Sequence, residues 1–121
     1  MTKTMAMLID AIVSTDGNII ILCKYSQDFN QFVEMTKEHA DIGVFTRDIN
    51  HARRVIRTDW GSTLRFITTD AALDRHLRGY SADYVFTNDY SMIGNENVHA
   101  VCAGAGAPLI FGSLFPRHGN G

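Results

Sequence analysis

The sequence predicts an α/β fold: a three-layer sandwich in which helices cover both faces of a mostly parallel sheet of about five strands. Short apolar runs rich in β-branched residues alternate with amphipathic stretches of helical length, and parallel strands need connections long enough to hold a helix. With 45% hydrophobic and 20% charged residues among 121, a disordered or low-complexity chain is excluded. We expect a single domain over residues 1–115 and a flexible tail over 116–121.

The first half of the chain is predicted to form three helices and two strands. Apolar residues recur at helical spacing over residues 4–13 and 26–39. Residues 18–23 form a continuous β-branched apolar run, which is typical of a strand covered on both faces. A second short apolar run, 42–45, predicts another strand. Residues 46–57 begin with capping residues and place apolar side chains at helical spacing, which predicts a helix with arginines on its solvent face.

The second half continues the alternation of strands and helices. Residues 63–68 are predicted to form a strand, and residues 70–79 a helix closed by a glycine. The apolar run over 82–89 predicts a strand that ends in two polar residues. Residues 95–101 favour a helix and residues 108–113 a last strand. Five apolar runs and five helical stretches therefore fit one α/β domain.

Polar residues follow several of the predicted strands at their carboxyl ends. In parallel sheets, ligands bind beyond these strand ends. The segments Lys24-Tyr25, Thr68-Thr69-Asp70 and Asn88-Asp89, together with Ser113, are therefore expected on one rim of the sheet. We take this rim as the candidate site.

Three segments of the chain resemble the motor core of phage large terminases and related helicase-like P-loop ATPases. Residues 61–68 followed by 77–89 are similar to the family's strand, Leu-Arg-Gly turn and apolar strand ending in Asp-Glu. Residues 108–113 resemble its coupling motif, an apolar strand ending in Ser or Thr. Residues 2–8 resemble the end of the phosphate loop, Gly-Lys-Thr, as it runs into its helix. The resemblance covers about residues 2–120 and implies a P-loop NTPase-like fold.

The resemblance implies roles for five residues. It places Lys3 and Thr4 at the nucleotide-binding positions, Asn88 at the Mg²⁺ position, Asp89 at the water-activating position and Ser113 at the coupling position. The family's glycine-rich loop and preceding strand have no counterpart, and Asn-Asp replaces its Asp-Glu. We therefore expect a truncated, degenerate domain that needs no cofactor and is not an autonomous NTPase. Turn chemistry offers an alternative interpretation of Asn88 and Asp89 as capping residues.

Three functions follow from these observations. The first is a non-hydrolysing domain that binds a protein or nucleic-acid motor, or a second copy of itself; a phage is one source that fits this function. Binding would use a sheet edge that the absent strand leaves unpaired. The second is a DNA-packaging or helicase-type ATPase subunit completed by another chain and using Mg-ATP. The third is a nucleic-acid-binding module in which arginines contact phosphates. The candidate arginines are Arg53, Arg54, Arg57, Arg65, Arg75 and Arg78.

Charge, cysteine content and hydropathy bear on the kind of site that the chain carries and on its location in the cell. Seven arginines and four acidic residues lie between positions 47 and 78, although the net charge of the chain is −2; a solvated, salt-bridged face is the alternative interpretation. Cys23 and Cys102 lie in apolar runs and are expected to be buried thiols. The five histidines show no metal-ligand spacing. Because no apolar run approaches the length of a membrane span, we expect a cytoplasmic protein, in the host cytoplasm if phage-encoded.

Overall fold

Helices and strands alternate along the chain as expected for an α/β fold. The structure, a computed structural model, describes residues 2–38, 46–70, 73, 77 and 81–115. Within these residues lie three α-helices, six strands and one short 3₁₀-helix. They are α1 Lys3–Ser14, β1 Asn18–Cys23, α2 Gln27–Glu38, β2 Thr46–Asn50, β3 Val55–Thr58, β4 Thr63–Thr68, β5 Tyr84–Thr87, the 3₁₀-helix Tyr90–Gly94, α3 Glu96–Ala105 and β6 Leu109–Phe111.

The six strands form one mostly parallel sheet in the order β2-β3-β4-β1-β5-β6. Strands β4, β1, β5 and β6 run parallel to one another, whereas β3 runs antiparallel to both β2 and β4. The central strand β1 pairs along its whole length with β4, from Asn18 opposite Thr63 to Cys23 opposite Thr68. The carboxyl ends of β4, β1 and β5 therefore meet at one edge of the sheet.

Both faces of the sheet are covered by helices. Side chains of β1 alternate between two separate cores: Ile19 and Ile21 belong to one, Ile20 and Leu22 to the other. This period of two is the geometry of a strand, and it explains why the whole apolar run is buried. Helices α1 and α2 contribute to the first core, and α3 contributes to the second. Their core residues include Leu8, Ile12, Phe32 and Val33 on one face and Val98 and Cys102 on the other. The three-layer α/β prediction is confirmed.

The helix predicted over residues 46–57 is wrong. These residues form an antiparallel hairpin of β2 and β3 joined by a turn over 51–54. The side chain of Asn50 accepts a hydrogen bond from the backbone N–H of Arg53, which stabilises the turn. In β3, Ile56 is buried and Arg57 exposed, the alternation of a strand. A few apolar residues have helical spacing, but backbone pairing of β3 with β4 determines the structure of this segment. The hairpin extends the sheet to six strands.

Other predicted elements are confirmed or lie outside the described residues. The strands over 18–23 and 63–68 have the predicted bounds, and the remaining described elements differ from prediction by a few residues. Leu73 and Leu77 are helical and buried, but most of the helix predicted over 70–79 lies outside the described residues, as do the strand over 42–45 and the tail. The longest described helices have 12 residues, too few to cross a bilayer.

Candidate functional site

The side chain of Asn88 joins the ends of two elements at the carboxyl edge of the sheet. Its Oδ1 accepts a hydrogen bond from the backbone N–H of Lys24, just beyond β1, at 2.8 Å. Its Nδ2 donates to Oδ2 of Asp28 in the first turn of α2, at 2.9 Å. Asp28 is buried, so its carboxylate depends on such a donor. Both the carbonyl oxygen and the amino group of the Asn88 side chain are therefore engaged in hydrogen bonds.

This geometry suits an amide and disfavours a carboxylate at position 88. An ionised aspartate accepts hydrogen bonds and donates none, so it would face the carboxylate of Asp28 at the distance of a hydrogen bond. Two carboxylates at that separation raise the pKa of the pair and cannot both ionise without a compensating cation. The surroundings of position 88 therefore suit the amide that the sequence has there.

Asp89 caps the 3₁₀-helix that follows β5. Its Oδ1 accepts from the backbone N–H and the hydroxyl of Ser91, at 3.0 and 2.7 Å, and its Oδ2 accepts from the Thr69 hydroxyl at 2.6 Å. The Thr69 hydrogen bond holds the pKa of the Asp89 carboxyl below its usual range; Ser91 and the charge of Lys24 act in the same direction, and burial opposes them. The capping interpretation is confirmed for Asp89, and a lowered pKa makes its carboxylate a weaker base.

The start of α1 packs against the segment after β6. Thr2 caps the helix: its hydroxyl accepts from the backbone N–H of Met5 at 3.0 Å and donates to the carbonyl of Leu114 at 2.9 Å. Thr4 is buried, and a Cβ built on Gly112 would lie 2.0 Å from the Thr4 hydroxyl oxygen. Only glycine permits this close approach. The Thr4 hydroxyl thus lies against the β6 segment in the described structure.

Lys3 and Ser113 lie near these contacts without joining the Asn88 cluster. The side chain of Lys3 is exposed, and the Ser113 hydroxyl donates to the carbonyl of Phe115 at 2.7 Å. A cavity of about 10 Å³ separates the Asn88 end of β5 from Gly112 and Leu114. That volume holds about one water molecule. The Asn88 end of β5 therefore packs closely against the segment that follows β6.

The predicted burial of both cysteines is confirmed. Cys23 and Cys102 are free and buried. Burial raises the pKa of the Cys23 thiol to about 12, and the nearby charge of Asp28 adds to the rise while Arg54 opposes it. Such a thiol is not a nucleophile at neutral pH. Across the described part of the chain, no group of three His, Cys, Asp or Glu side chains is arranged to hold a metal ion.

Comparison with known proteins identifies the fold. No family model matches the chain, and no curated protein matches it. The chain is similar in structure to the large terminase ATPase domain of Thermus phage P74-26, with a TM-score of 0.60 and 15% sequence identity. The similarity covers 90% of this chain and 53% of the phage chain. The likeness shows that the α/β fold of this chain is similar to that of the phage domain, and the chain spans about half the length of this neighbour.

The arginines predicted to contact nucleic acid fall into three groups. Arg53, Arg54 and Arg65 line one cavity, Arg57 is exposed on β3, and Arg75 and Arg78 lie outside the described residues. Arg54 adopts a left-handed backbone with φ of 55°. The sequence pattern does not predict this cavity, because the cavity depends on the β2–β3 hairpin, which the structure has in place of the predicted helix.

Three residues of the rim were not singled out for the roles they play. Lys24 and Thr69 are predicted only to lie on the rim, and Asp28 lies in the helix predicted over residues 26–39, outside the predicted rim. The parallel pairing of β1 with β4 and β5 places Lys24 and Thr69 just beyond the ends of neighbouring strands, and Asp28 follows β1 in the first turn of α2. The one sequence signal for this contact was the position of polar residues directly after apolar runs.

Proposed function

We propose that this chain is a P-loop NTPase-like domain that acts by binding a protein partner and does not hydrolyse nucleotide on its own. The observation that carries the proposal is the Asn88 side chain, which accepts from Lys24 and donates to the buried carboxylate of Asp28. A neutral amide in this position contributes no charge to a Mg²⁺ site. The similarity to a terminase ATPase domain supports the fold part of the proposal.

The neighbouring groups support the same conclusion. A water-activating carboxylate needs a lone pair directed at water, and three of the about four lone-pair positions of the Asp89 carboxylate already accept hydrogen bonds from Thr69 and Ser91. The Thr4 hydroxyl lies against Gly112. The hydrogen bonds of Asn88 and Asp89 to neighbouring segments support the proposal that these two side chains stabilise the local fold.

The free edge of β6 is the proposed place for the partner. Strand β6 pairs with β5 on one side and is the last strand of the described sheet. Apolar side chains flank it: Phe111 is 46% exposed, and Tyr90, 75% exposed, packs against it edge to face with ring centroids 5.6 Å apart. An apolar edge strand with unpaired backbone groups is a template for an added strand from another chain.

Nucleotide hydrolysis tests the catalytic half of the proposal. Phosphate release from Mg-ATP is measured with the purified chain, with Lys3→Ala and Asp89→Asn as site variants and Asp59→Asn, an exposed turn residue, as the matched control. We expect no turnover above the buffer rate in any of them. Turnover that is lost in both site variants and kept in Asp59→Asn would overturn the proposal. Turnover that appears only after assembly with another chain would favour an ATPase subunit completed in trans.

Association tests the partner surface. Sedimentation velocity compares the wild type with Phe111→Asp at the β6 edge and Tyr25→Asp, a similarly exposed aromatic residue beyond β1. If two copies pair through β6, the association at high concentration is lost in Phe111→Asp and kept in Tyr25→Asp. A monomeric wild type at about 100 μM, a hundred times a typical micromolar dissociation constant, would leave a different protein as the partner.

A further inference from the structure

The hairpin of β2 and β3 forms one wall of a cavity of about 470 Å³ at the edge of the sheet opposite to β6. This volume lies within the range of small-ligand pockets. Arg53 is exposed at its rim, whereas Arg54 and Arg65 are half-buried. Its described lining consists of Ala52, Arg53, Arg54, Val55, Arg65, Phe66 and Ile67. We call it the arginine cavity.

Strand register explains why arginines from two distant segments meet there. Val55 of β3 is the partner of Arg65 of β4 in the antiparallel ladder, so the residue that follows the turn lies beside Arg65. The turn places Arg53 two positions before Val55, where the Asn50 side chain holds its backbone N–H at 3.0 Å. The cavity is therefore built on paired strands and a hydrogen-bonded turn, which fix its walls.

The turn keeps an arginine where glycine is usual. Arg54 has a φ of 55°, a left-handed conformation that is unfavourable for residues with a Cβ. Its carbonyl accepts from the backbone N–H of Phe66 at 3.0 Å, and its guanidinium donates to the Thr68 hydroxyl at 2.8 Å. A non-glycine residue in such a conformation is a reason to look for a function at this position.

The charge of the lining indicates the ligand. Three of the seven described lining residues are arginines and none is acidic. A guanidinium presents planar N–H groups that match the oxygens of a phosphate. The chemistry therefore favours a bound phosphate group over an apolar or cationic ligand.

We propose that the arginine cavity binds a phosphate group, carried either by a nucleic-acid backbone or by a small phosphorylated ligand. The inference goes beyond the proposed function and does not rest on it. The cavity and the Asn88 cluster involve different residues, so loss of phosphate binding says nothing about nucleotide hydrolysis, and the reverse also holds.

Fluorescence anisotropy of a labelled single-stranded DNA of about 20 nucleotides tests the inference, because a backbone of that length presents many phosphates. Inorganic pyrophosphate is the competitor that represents a free phosphorylated ligand. Arg65→Gln removes one of the cavity's two half-buried charges, and Arg53→Ala removes the exposed one in case the first variant fails to fold. Arg57→Ala is the matched control: it lies two residues along β3 from Val55, is exposed and does not line the cavity.

The expected result is a loss of affinity of about tenfold in Arg53→Ala and Arg65→Gln, the size of one charge-assisted hydrogen bond, with less than about a twofold change in Arg57→Ala. Displacement of the DNA by pyrophosphate assigns the site to free phosphorylated ligands. DNA binding that pyrophosphate does not displace, and whose affinity falls steeply with salt concentration, assigns the site to the nucleic-acid backbone. Equal losses in Arg53→Ala and Arg57→Ala, or no binding of either probe to the wild type, would overturn the inference.

Discussion

Replacing Asn88 by aspartate turns the site's central hydrogen bond into a contact between two carboxylates. The Nδ2 donor that lies 2.9 Å from Asp28 becomes an acceptor oxygen, and a hydrogen bond to a charged group contributes about 1.5–3 kcal/mol. Repulsion of two full charges at this separation is about 6 kcal/mol at an effective dielectric of about 20. The pair avoids that cost by binding one proton, which requires about 4 kcal/mol at about pH 7 for a carboxyl with an ordinary pKa of about 3.9. We therefore expect Asn88→Asp to lower the free energy of unfolding by about 2–4 kcal/mol.

The dependence on pH separates this mechanism from a simple packing defect. Sharing a proton raises the folded-state pKa of the pair above its unfolded value. Stability is then regained as pH falls towards the unfolded pKa and lost as pH rises through the folded pKa. At about pH 5 the protonation cost falls to about 1.5 kcal/mol, so the variant is expected to recover most of the loss.

Urea unfolding followed by far-ultraviolet circular dichroism, at about pH 7 and about pH 5, measures both quantities. The control is Asn30→Asp, the same chemical change at an exposed position of α2, which we expect to change stability by less than about 0.5 kcal/mol. A loss in Asn88→Asp no larger than in the control, or one independent of pH, would refute the account of Asn88 and remove the main support for the proposed function.

Two further predictions concern the rim and the backbone. Asp89→Asn removes the charge that Thr69, Ser91 and Lys24 stabilise, and the folded-state pKa of Asp89 is lowered. In thermal melts the wild type should therefore be more stable than the variant above about pH 5, and this difference in stability should shrink as pH falls below about 4. A difference that stays constant down to about pH 3 would contradict this cause. Gly61→Ala should destabilise the fold by about 1 kcal/mol or more, since Gly61 has a φ of 91°. Its control Gly104→Ala, within α3 and with open space around the new Cβ, should stabilise it by about 0.5–1 kcal/mol in urea unfolding; equal effects of the two changes would refute the backbone argument.

The sequence by itself determined the elements that depend on local pattern. The isoleucine-rich run over residues 18–23 favours a strand covered on both faces, and the structure places it at the centre of the sheet. Helical spacing of Met5, Leu8 and Ile12 gave α1, because one apolar stripe at that period must pack against a core. The resemblance of the chain to a P-loop motor core was also available from local motifs, and it agrees with the observed fold.

Local pattern was insufficient where two interpretations shared the same residues. Ile49, Val55 and Ile56 fit a helical period as well as they fit two short strands. Only the hydrogen bonds of β3 to β4 decided for the hairpin, because strand pairing depends on residues distant in the sequence. The same pairing created the arginine cavity from a turn and a neighbouring strand.

Tertiary structure alone decided the chemistry of the rim. Asn88 lies 60 residues from Asp28 and 64 from Lys24 in sequence, and no spacing rule connects residues so far apart. The parallel alignment of β1 and β5 brings them within hydrogen-bond distance. From the sequence, Asn88 is a polar residue at the end of a predicted strand, and the fold shows what its amide holds: a buried carboxylate on one side and a backbone N–H on the other.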